Sequence, residues 1–143
     1  MIKLKNDGSV SYSIVIPVFQ NEGSINDVFY KIKENVIDQN HNYSCEIIFV
    51  DDGSTDKSFE LLNALHNKYP ELIVIVKLTR NFGTYPAIIA GYEKARGNCI
   101  INISADLQDP PELINQMLSS YFDESFNIVI CHRNSRDESA YRS

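Results

Sequence analysis

Continuous apolar runs alternate along the chain with segments in which apolar residues recur every three or four positions. The runs have the length of β-strands, and the segments between them have the spacing of amphipathic helices, as at Ile25, Val28, Phe29 and Ile32. This alternation predicts five strands and four helices. The predicted strands cover residues 12–19, 45–50, 72–78, 99–105 and 126–131.

Strands that are apolar throughout are typical of a parallel sheet buried on both faces. We therefore predict an α/β, Rossmann-like fold with a mostly parallel sheet and helices on both faces. The length of 143 residues fits a single domain spanning residues 1–143. Residues 132–143 are polar, and we expect them to form a flexible tail.

Composition excludes several classes of function. The net charge is -6, whereas nucleic-acid-binding domains usually carry a basic footprint, so no nucleic-acid partner is expected. The three cysteines are widely spaced and form no metal motif, which favours reduced thiols. No signal peptide and no apolar run long enough to span a bilayer is visible, and we expect a cytoplasmic chain.

Polar clusters follow the ends of the first four predicted strands. Because the carboxyl ends of parallel strands meet at one rim of the sheet, where ligands bind in such folds, these clusters predict a single site. The clusters are Gln20-Asn21-Glu22, Asp51-Asp52, Arg80-Asn81 and Asp106.

The residue types at this rim suit a phosphorylated ligand. Asp51 and Asp52 can accept hydrogen bonds from ribose hydroxyls or a base N–H, but a simple turn explains them equally well. The glycine-rich phosphate motifs GxGxxG and GxxxxGK[ST] are absent from the sequence. A divalent cation held by oxygen ligands such as Asp106 and Gln108 is the alternative way to bind a diphosphate. Arg80 suits phosphate, although a surface ion pair explains it as well.

Four motifs in order resemble the family 2 (GT-A type) glycosyltransferases. They are residues 13–22 (SIVIPVFQNE), 50–56 (VDDGSTD), 80–83 (RNFG) and 105–112 (ADLQDPPE). The last two are similar to the subgroup that contains dolichyl-phosphate mannose synthase and bacterial polyprenyl-phosphate glycosyltransferases. The resemblance implies the nucleotide-sugar-binding portion of a GT-A domain, truncated on its C-terminal side.

The resemblance also implies roles for individual residues. Asp106 and Gln108 would hold Mg²⁺ or Mn²⁺, and Asp106, Arg133 and Arg136 would be catalytic, the two arginines near the acceptor phosphate. The nucleotide sugar, a UDP- or GDP-sugar, would contact Pro17, Val18, Asn21, Glu22, Asp51, Asp52, Arg80, Ser104 and Ala105.

The implied reaction is inverting transfer of the sugar to a polyprenyl (undecaprenyl or dolichyl) phosphate at the membrane surface. A phosphate acceptor is already anionic, so no strong general base is needed. Two departures from the family pattern stand out. Ser104 replaces the first aspartate of the family's Asp-x-Asp, and the chain stops at Ser143, where family members continue with acceptor-side and membrane-associated elements. We therefore expect the isolated chain to transfer sugar poorly.

Three other functions remain open from the sequence. A family 2 transferase acting on a sugar hydroxyl in cell-wall or capsule synthesis would need a general base. A non-catalytic nucleotide-sugar-binding module would explain Ser104. A flavodoxin-type binding domain would explain the alternation of elements but would leave the polar clusters unexplained. The sequence gives no indication of the oligomeric state.

Overall fold

The computed structural model describes residues 10–131. Its centre is a sheet of four parallel strands in the order β3-β2-β1-β4. Val18, at the end of β1, pairs with Asp51, and Asp51 pairs with Lys77 at the end of β3. The carboxyl ends of three strands are therefore in register at one rim. The strands are β1 (Tyr12–Val18), β2 (Cys45–Asp51), β3 (Ile73–Lys77) and β4 (Cys99–Asn102).

Between residues 10 and 131, four α-helices connect or follow the strands. The first, α1, continues directly into one π-helical turn, Lys33–Ile37. The sequence predicted helices in all four places, and the structure has them there. The helices are α1 (Ile25–Ile32), α2 (Ser58–Lys68), α3 (Thr84–Lys94) and α4 (Leu113–Phe122).

Helices cover both faces of the sheet. On one face, α1, α2 and α4 bury a large apolar cluster that contains Phe29 and Phe49. On the other face, α3 packs Ala87 against Val15 and its neighbours. At Gly91 a Cβ would lie 2.4 Å from Cγ1 of Val15, so only glycine allows α3 to approach the sheet this closely. The α/β fold with a parallel sheet and helices on both faces is confirmed.

A buried polar cluster fastens the opposite rim, where the strands begin. Glu46 is 1% exposed and accepts hydrogen bonds from the Ser13 hydroxyl at 2.7 Å and the Arg96 backbone N–H at 2.6 Å. The Arg96 guanidinium lies 2.8 Å from the same carboxylate. Gly97 N–H donates to the Ser13 hydroxyl. This cluster anchors the connection from α3 to β4.

The prediction of a fifth strand at residues 126–131 is wrong. This segment has no regular secondary structure, and Ile128 and Ile130 are 80% and 82% exposed. A strand needs a partner to satisfy its backbone groups, and within residues 10–131 the ladder ends at β4. Residues 127–131 and β4 line a common cavity, and no strand pairing joins them. β4 itself ends at Asn102, three residues before its predicted end.

Candidate nucleotide-sugar site

A pocket of about 410 Å³ opens at the carboxyl ends of the strands. It places Asp52, which follows β2, in the same cavity as Asp106, which follows β4. Four chain segments therefore meet at one rim. The lining residues are Pro17, Val18, Phe19, Asn21, Asp52, Thr84, Ile88, Asn102, Ile103, Ser104, Ala105, Asp106 and Asp109.

Seven of the residues assigned to nucleotide-sugar or metal binding line this pocket, namely Pro17, Val18, Asn21, Asp52, Ser104, Ala105 and Asp106. Four others lie around the rim without lining it, namely Glu22, Asp51, Arg80 and Gln108. Arg133 and Arg136, together with the tail 132–143, lie outside the described residues. The roles of all these residues stay predictions.

The loop after β1 is clasped to the loop after β2 by side chains. Gln20 adopts a positive φ of 55°, and its Oε1 accepts hydrogen bonds from the backbone N–H groups of Thr55 (2.9 Å) and Asp56 (3.1 Å). The Glu22 carboxylate accepts from Lys57 N–H at 2.9 Å. Gln20 and Glu22 thus hold the two loops together beside the pocket.

Asp52 fixes the start of α3. Its Oδ1 accepts from Phe82 N–H at 2.8 Å and its Oδ2 from Gly83 N–H at 3.0 Å. Gly53 follows with φ 75°, and a Cβ there would lie 2.5 Å from the Arg80 carbonyl carbon. The close approach of these two loops explains why the sequence has glycine at this turn.

Asp51 supports the turn from inside the protein. It is fully buried, and its Oδ1 accepts from Ser54 N–H at 3.1 Å. Its Oδ2 has no hydrogen-bond partner, although it is buried. Asp51 and the residues after it therefore form the turn that the sequence allowed, and Asp52 also lines the pocket.

Asp106 is exposed at the other side of the pocket, in a tight turn. Its Oδ1 accepts hydrogen bonds from the Ser104 hydroxyl at 2.6 Å and from Gln108 N–H at 3.0 Å. Leu107 adopts φ 61° between them. At position 104 the serine therefore donates a hydrogen bond to Asp106, where a second carboxylate would repel it.

The donor set fits a hard divalent cation that is shared with a ligand. Asp52, Asp106 and Asp109 place carboxylates around one pocket, and Mg²⁺ and Mn²⁺ prefer such oxygen ligands. Within residues 10–131, no three His, Cys, Asp or Glu side chains are close enough to hold a metal by themselves. Phosphate oxygens of a bound diphosphate would have to complete the coordination.

Arg80 lies on the exposed rim beside the pocket. Its guanidinium carbon is 4.4 Å from the centroid of the Phe82 ring, a cation–π contact. The loop that carries both residues is held by Asp52. Arg80 is exposed to solvent and is not among the residues that line the pocket.

Six lining residues were not assigned to the site from the sequence: Phe19, Thr84, Ile88, Asn102, Ile103 and Asp109. Phe19 lies inside the recognised motif 13–22, and Thr84 directly follows the motif 80–83, which is the signal that could have found them. Ile88 lies one helical turn after Thr84, so the helical period points to it as well. Asn102 and Ile103 belonged to the predicted fourth strand, so only the early end of β4 reveals them.

A larger cavity of about 870 Å³ lies between β4, α4 and residues 127–131, and it shares Asn102, Ile103 and Asp109 with the rim pocket. Its described lining is mostly apolar, and Asp109 is its one acidic residue. The chemistry of a diphosphate ligand therefore favours the smaller pocket. No helix in the described range 10–131 has both the length and the apolar character needed to cross a bilayer.

Relatives with known names match most of the chain. The chain is 41% identical over 127 residues to the uncharacterized glycosyltransferase YkcC of Bacillus subtilis, and 38% identical over 130 residues to an undecaprenyl-phosphate 4-deoxy-4-formamido-L-arabinose transferase of Pseudomonas fluorescens. These alignments cover 89% and 91% of the chain. The chain spans only 38% of the length of either relative.

A solved structure shares the fold. A mannosyltransferase of Pyrobaculum calidifontis, in complex with GDP-Man and Mn²⁺, matches with a TM-score of 0.59 at 20% identity, over 71% of this chain and 33% of that one. The sequence model for Glycosyl transferase family 2 matches residues 13–142. That match covers β2–β4, all of β1 except its first residue and every residue that lines the rim pocket, and the chain therefore belongs to glycosyl transferase family 2.

Proposed function

We propose that the chain is the nucleotide-sugar-binding part of an enzyme that transfers a sugar from a nucleotide-diphosphate sugar to a polyprenyl phosphate. One observation carries this proposal: Asn21, Asp52 and Asp106, from three separate loops, line one pocket of about 410 Å³ at the carboxyl ends of parallel strands. Open α/β sheets bind their ligands at this rim.

The donor is a UDP- or GDP-sugar. Asp52 is 3% exposed and faces the pocket from the β2 side, where its carboxylate can accept hydrogen bonds from ribose hydroxyls. Its two bonds to Phe82 and Gly83 N–H groups hold it in place before the ligand arrives. Such preorganisation reduces the entropy cost of binding.

Asp106 holds a divalent cation, Mn²⁺ or Mg²⁺, together with the donor's diphosphate, and Gln108 assists it. When bound, the cation neutralises the charge that develops on the departing nucleoside diphosphate. Ser104 orients the Asp106 carboxylate through their 2.6 Å hydrogen bond. The Mn²⁺ in the mannosyltransferase complex supports this choice of metal.

The acceptor is a lipid phosphate, which the name of the Pseudomonas fluorescens relative supports. Arg133 and Arg136 orient the attacking phosphate oxygen, which forms the new bond to the anomeric carbon as the nucleoside diphosphate leaves. The phosphate monoester is already ionised, so this step needs no general base. Because the acceptor is a lipid, the full-length protein works at the cytoplasmic membrane surface.

Ser104 favours a second candidate, a nucleotide-sugar-binding module without catalytic activity. A serine in place of a carboxylate lowers the negative charge next to Asp106 and weakens the attraction for a cation. In this case the chain binds the nucleotide sugar but needs no metal. The two candidates differ in whether Mn²⁺ strengthens nucleotide binding.

Calorimetric titration of the chain with UDP, GDP and their sugars, with and without Mn²⁺, tests both candidates. The transferase proposal predicts binding of one nucleotide that Mn²⁺ strengthens at least about tenfold, equivalent to ~1.4 kcal/mol. Asp106→Asn abolishes the metal dependence, whereas the matched control Asp123→Asn, an exposed aspartate after α4, keeps it. Metal-independent binding supports the non-catalytic module, and binding of no nucleotide refutes both candidates.

A further inference from the structure

Ser24 makes an unexpected long-range hydrogen bond. It occupies the N-cap position of α1, where a serine hydroxyl usually accepts a hydrogen bond from the first turn. Here it makes no such bond. Its hydroxyl instead donates to the backbone carbonyl of Ala105, 81 positions along the chain, at 2.6 Å. The hydroxyl therefore joins the loop after β1 to the loop after β4.

The carbonyl that accepts this bond belongs to the residue directly before Asp106. The bonds from Ser104 and Gln108 to the Asp106 carboxylate are local and set the shape of the turn. They do not set where the turn sits relative to the loop after β1. Ala105 is 3% exposed, and its carbonyl accepts the hydrogen bond by which Ser24, a residue outside the turn, contacts it.

We propose that Ser24 is a positioning residue for Asp106. By holding the Ala105 carbonyl, it keeps Asp106 facing the pocket that Asn21 and Asp52 also line. The inference rests on the proposed function of Asp106 as the residue that binds the cation. Ser24 itself does not line the pocket, so it acts through Asp106 and not on the ligand.

The hydrogen bond from Ser24 to Ala105 leaves α1 without a side-chain N-cap bond. An N-cap side chain that bonds to the first turn stabilises a helix, and α1 forgoes this bond. The backbone carbonyl of Asn21 accepts hydrogen bonds from two other N–H groups at the start of the helix, those of Ser24 and Ile25, at 3.0 and 3.2 Å. The Ser24 hydroxyl therefore bonds to the turn that carries Asp106, whereas the backbone carbonyl of Asn21 bonds to the start of α1.

The first test needs no ligand. Backbone amide ¹⁵N relaxation should give order parameters near 0.85 for residues 105–108 in the wild type, and measurably lower values in Ser24→Ala. Ser24→Thr, which keeps a hydroxyl, should restore the wild-type values. The control Ser119→Ala, which removes a hydroxyl on α4 that donates to Asp123 just after that helix, should leave residues 105–108 unchanged. Unchanged order parameters in Ser24→Ala would overturn the inference.

The second test separates this inference from the proposed function. In titrations with Mn²⁺ and GDP or UDP, Ser24→Ala should weaken binding about three- to tenfold, the range expected for one hydrogen bond, and Ser24→Thr should recover it. Equal binding by wild type and Ser24→Ala refutes the positioning role while the proposed function stands. If the wild type binds neither nucleotide, the proposed function fails, and the relaxation result alone decides the role of Ser24.

Discussion

Replacing Gly53 by alanine should destabilise the loops at the rim more than the removal of one contact there would. Gly53 has φ 75°, which costs alanine about 1–2 kcal/mol. The new Cβ would also lie 2.5 Å from Arg80 C and Asn81 N, which are backbone atoms that cannot rotate away. The loop before α3 must therefore move, and its two hydrogen bonds to Asp52 are stretched or lost.

We expect Gly53→Ala to lower the free energy of unfolding by about 3–5 kcal/mol, a large share of the 5–15 kcal/mol typical of a domain. Urea unfolding followed by circular dichroism measures this. With a slope of about 1–3 kcal/mol per molar urea, the midpoint should fall by at least about 1 M. The surviving folded protein should also bind the nucleotide more weakly, because Asp52 has lost its support.

Gly23→Ala is the matched control. Gly23 lies on the same rim, and a Cβ there would meet nothing within 4 Å. The same substitution should change the free energy of unfolding by no more than about 1 kcal/mol, and in the stabilising direction. Similar urea midpoints for the two variants would refute the close packing of the loops after β2 and β3.

Three further predictions follow from polar and sulfur groups. Burial would raise the pKa of Glu46, but hydrogen bonds from the backbone and guanidinium of Arg96 hold it below the usual 4.5. The stability that Glu46 contributes is therefore present above that pH and is lost as the pH falls through the lowered pKa. The free energy of unfolding of Glu46→Gln should depend less steeply on pH in the acid range. Burial raises the pKa of the Cys45 thiol to about 12, so iodoacetamide at pH 8 should label exposed Cys131 first, as peptide mass spectrometry would show. Asp52→Asn should cost about 1–3 kcal/mol in urea unfolding, because its NH₂ group would face a backbone N–H.

The pattern of apolar residues was sufficient to predict the main strands and helices, because the residues that an element buries are the ones that are apolar. The four observed strands lie within the predicted apolar runs except at Asp51, which ends β2 one residue beyond its run. The run 126–131 looked the same in sequence, but no strand pairs with it in the described range. Apolar composition reports the tendency to be buried, whereas a strand also requires a neighbouring edge, which lies elsewhere in the chain.

The partners of short polar side chains could not be read from the sequence. Ser24 carries a pattern typical of a helix cap, yet its hydroxyl bonds to Ala105 across the rim. Asp52 was expected to bind a ligand or form a turn, and it also anchors the backbone of Phe82 and Gly83. Serine and aspartate can satisfy near or distant donors and acceptors equally well, and only the fold decides between them.

The most direct test of the shared site uses the paramagnetism of Mn²⁺. In ¹H–¹⁵N spectra of the chain with GDP or UDP present, trace Mn²⁺ should broaden the amide signals of Asn21, Asp52 and residues 104–108 together, because these loops surround the one pocket that would hold the nucleotide and the cation. Signals of α4, such as Ser119, should stay sharp. Broadening confined to one of these loops, or scattered over exposed acidic residues, would show that Asp52 and Asp106 do not share a ligand and would contradict the account.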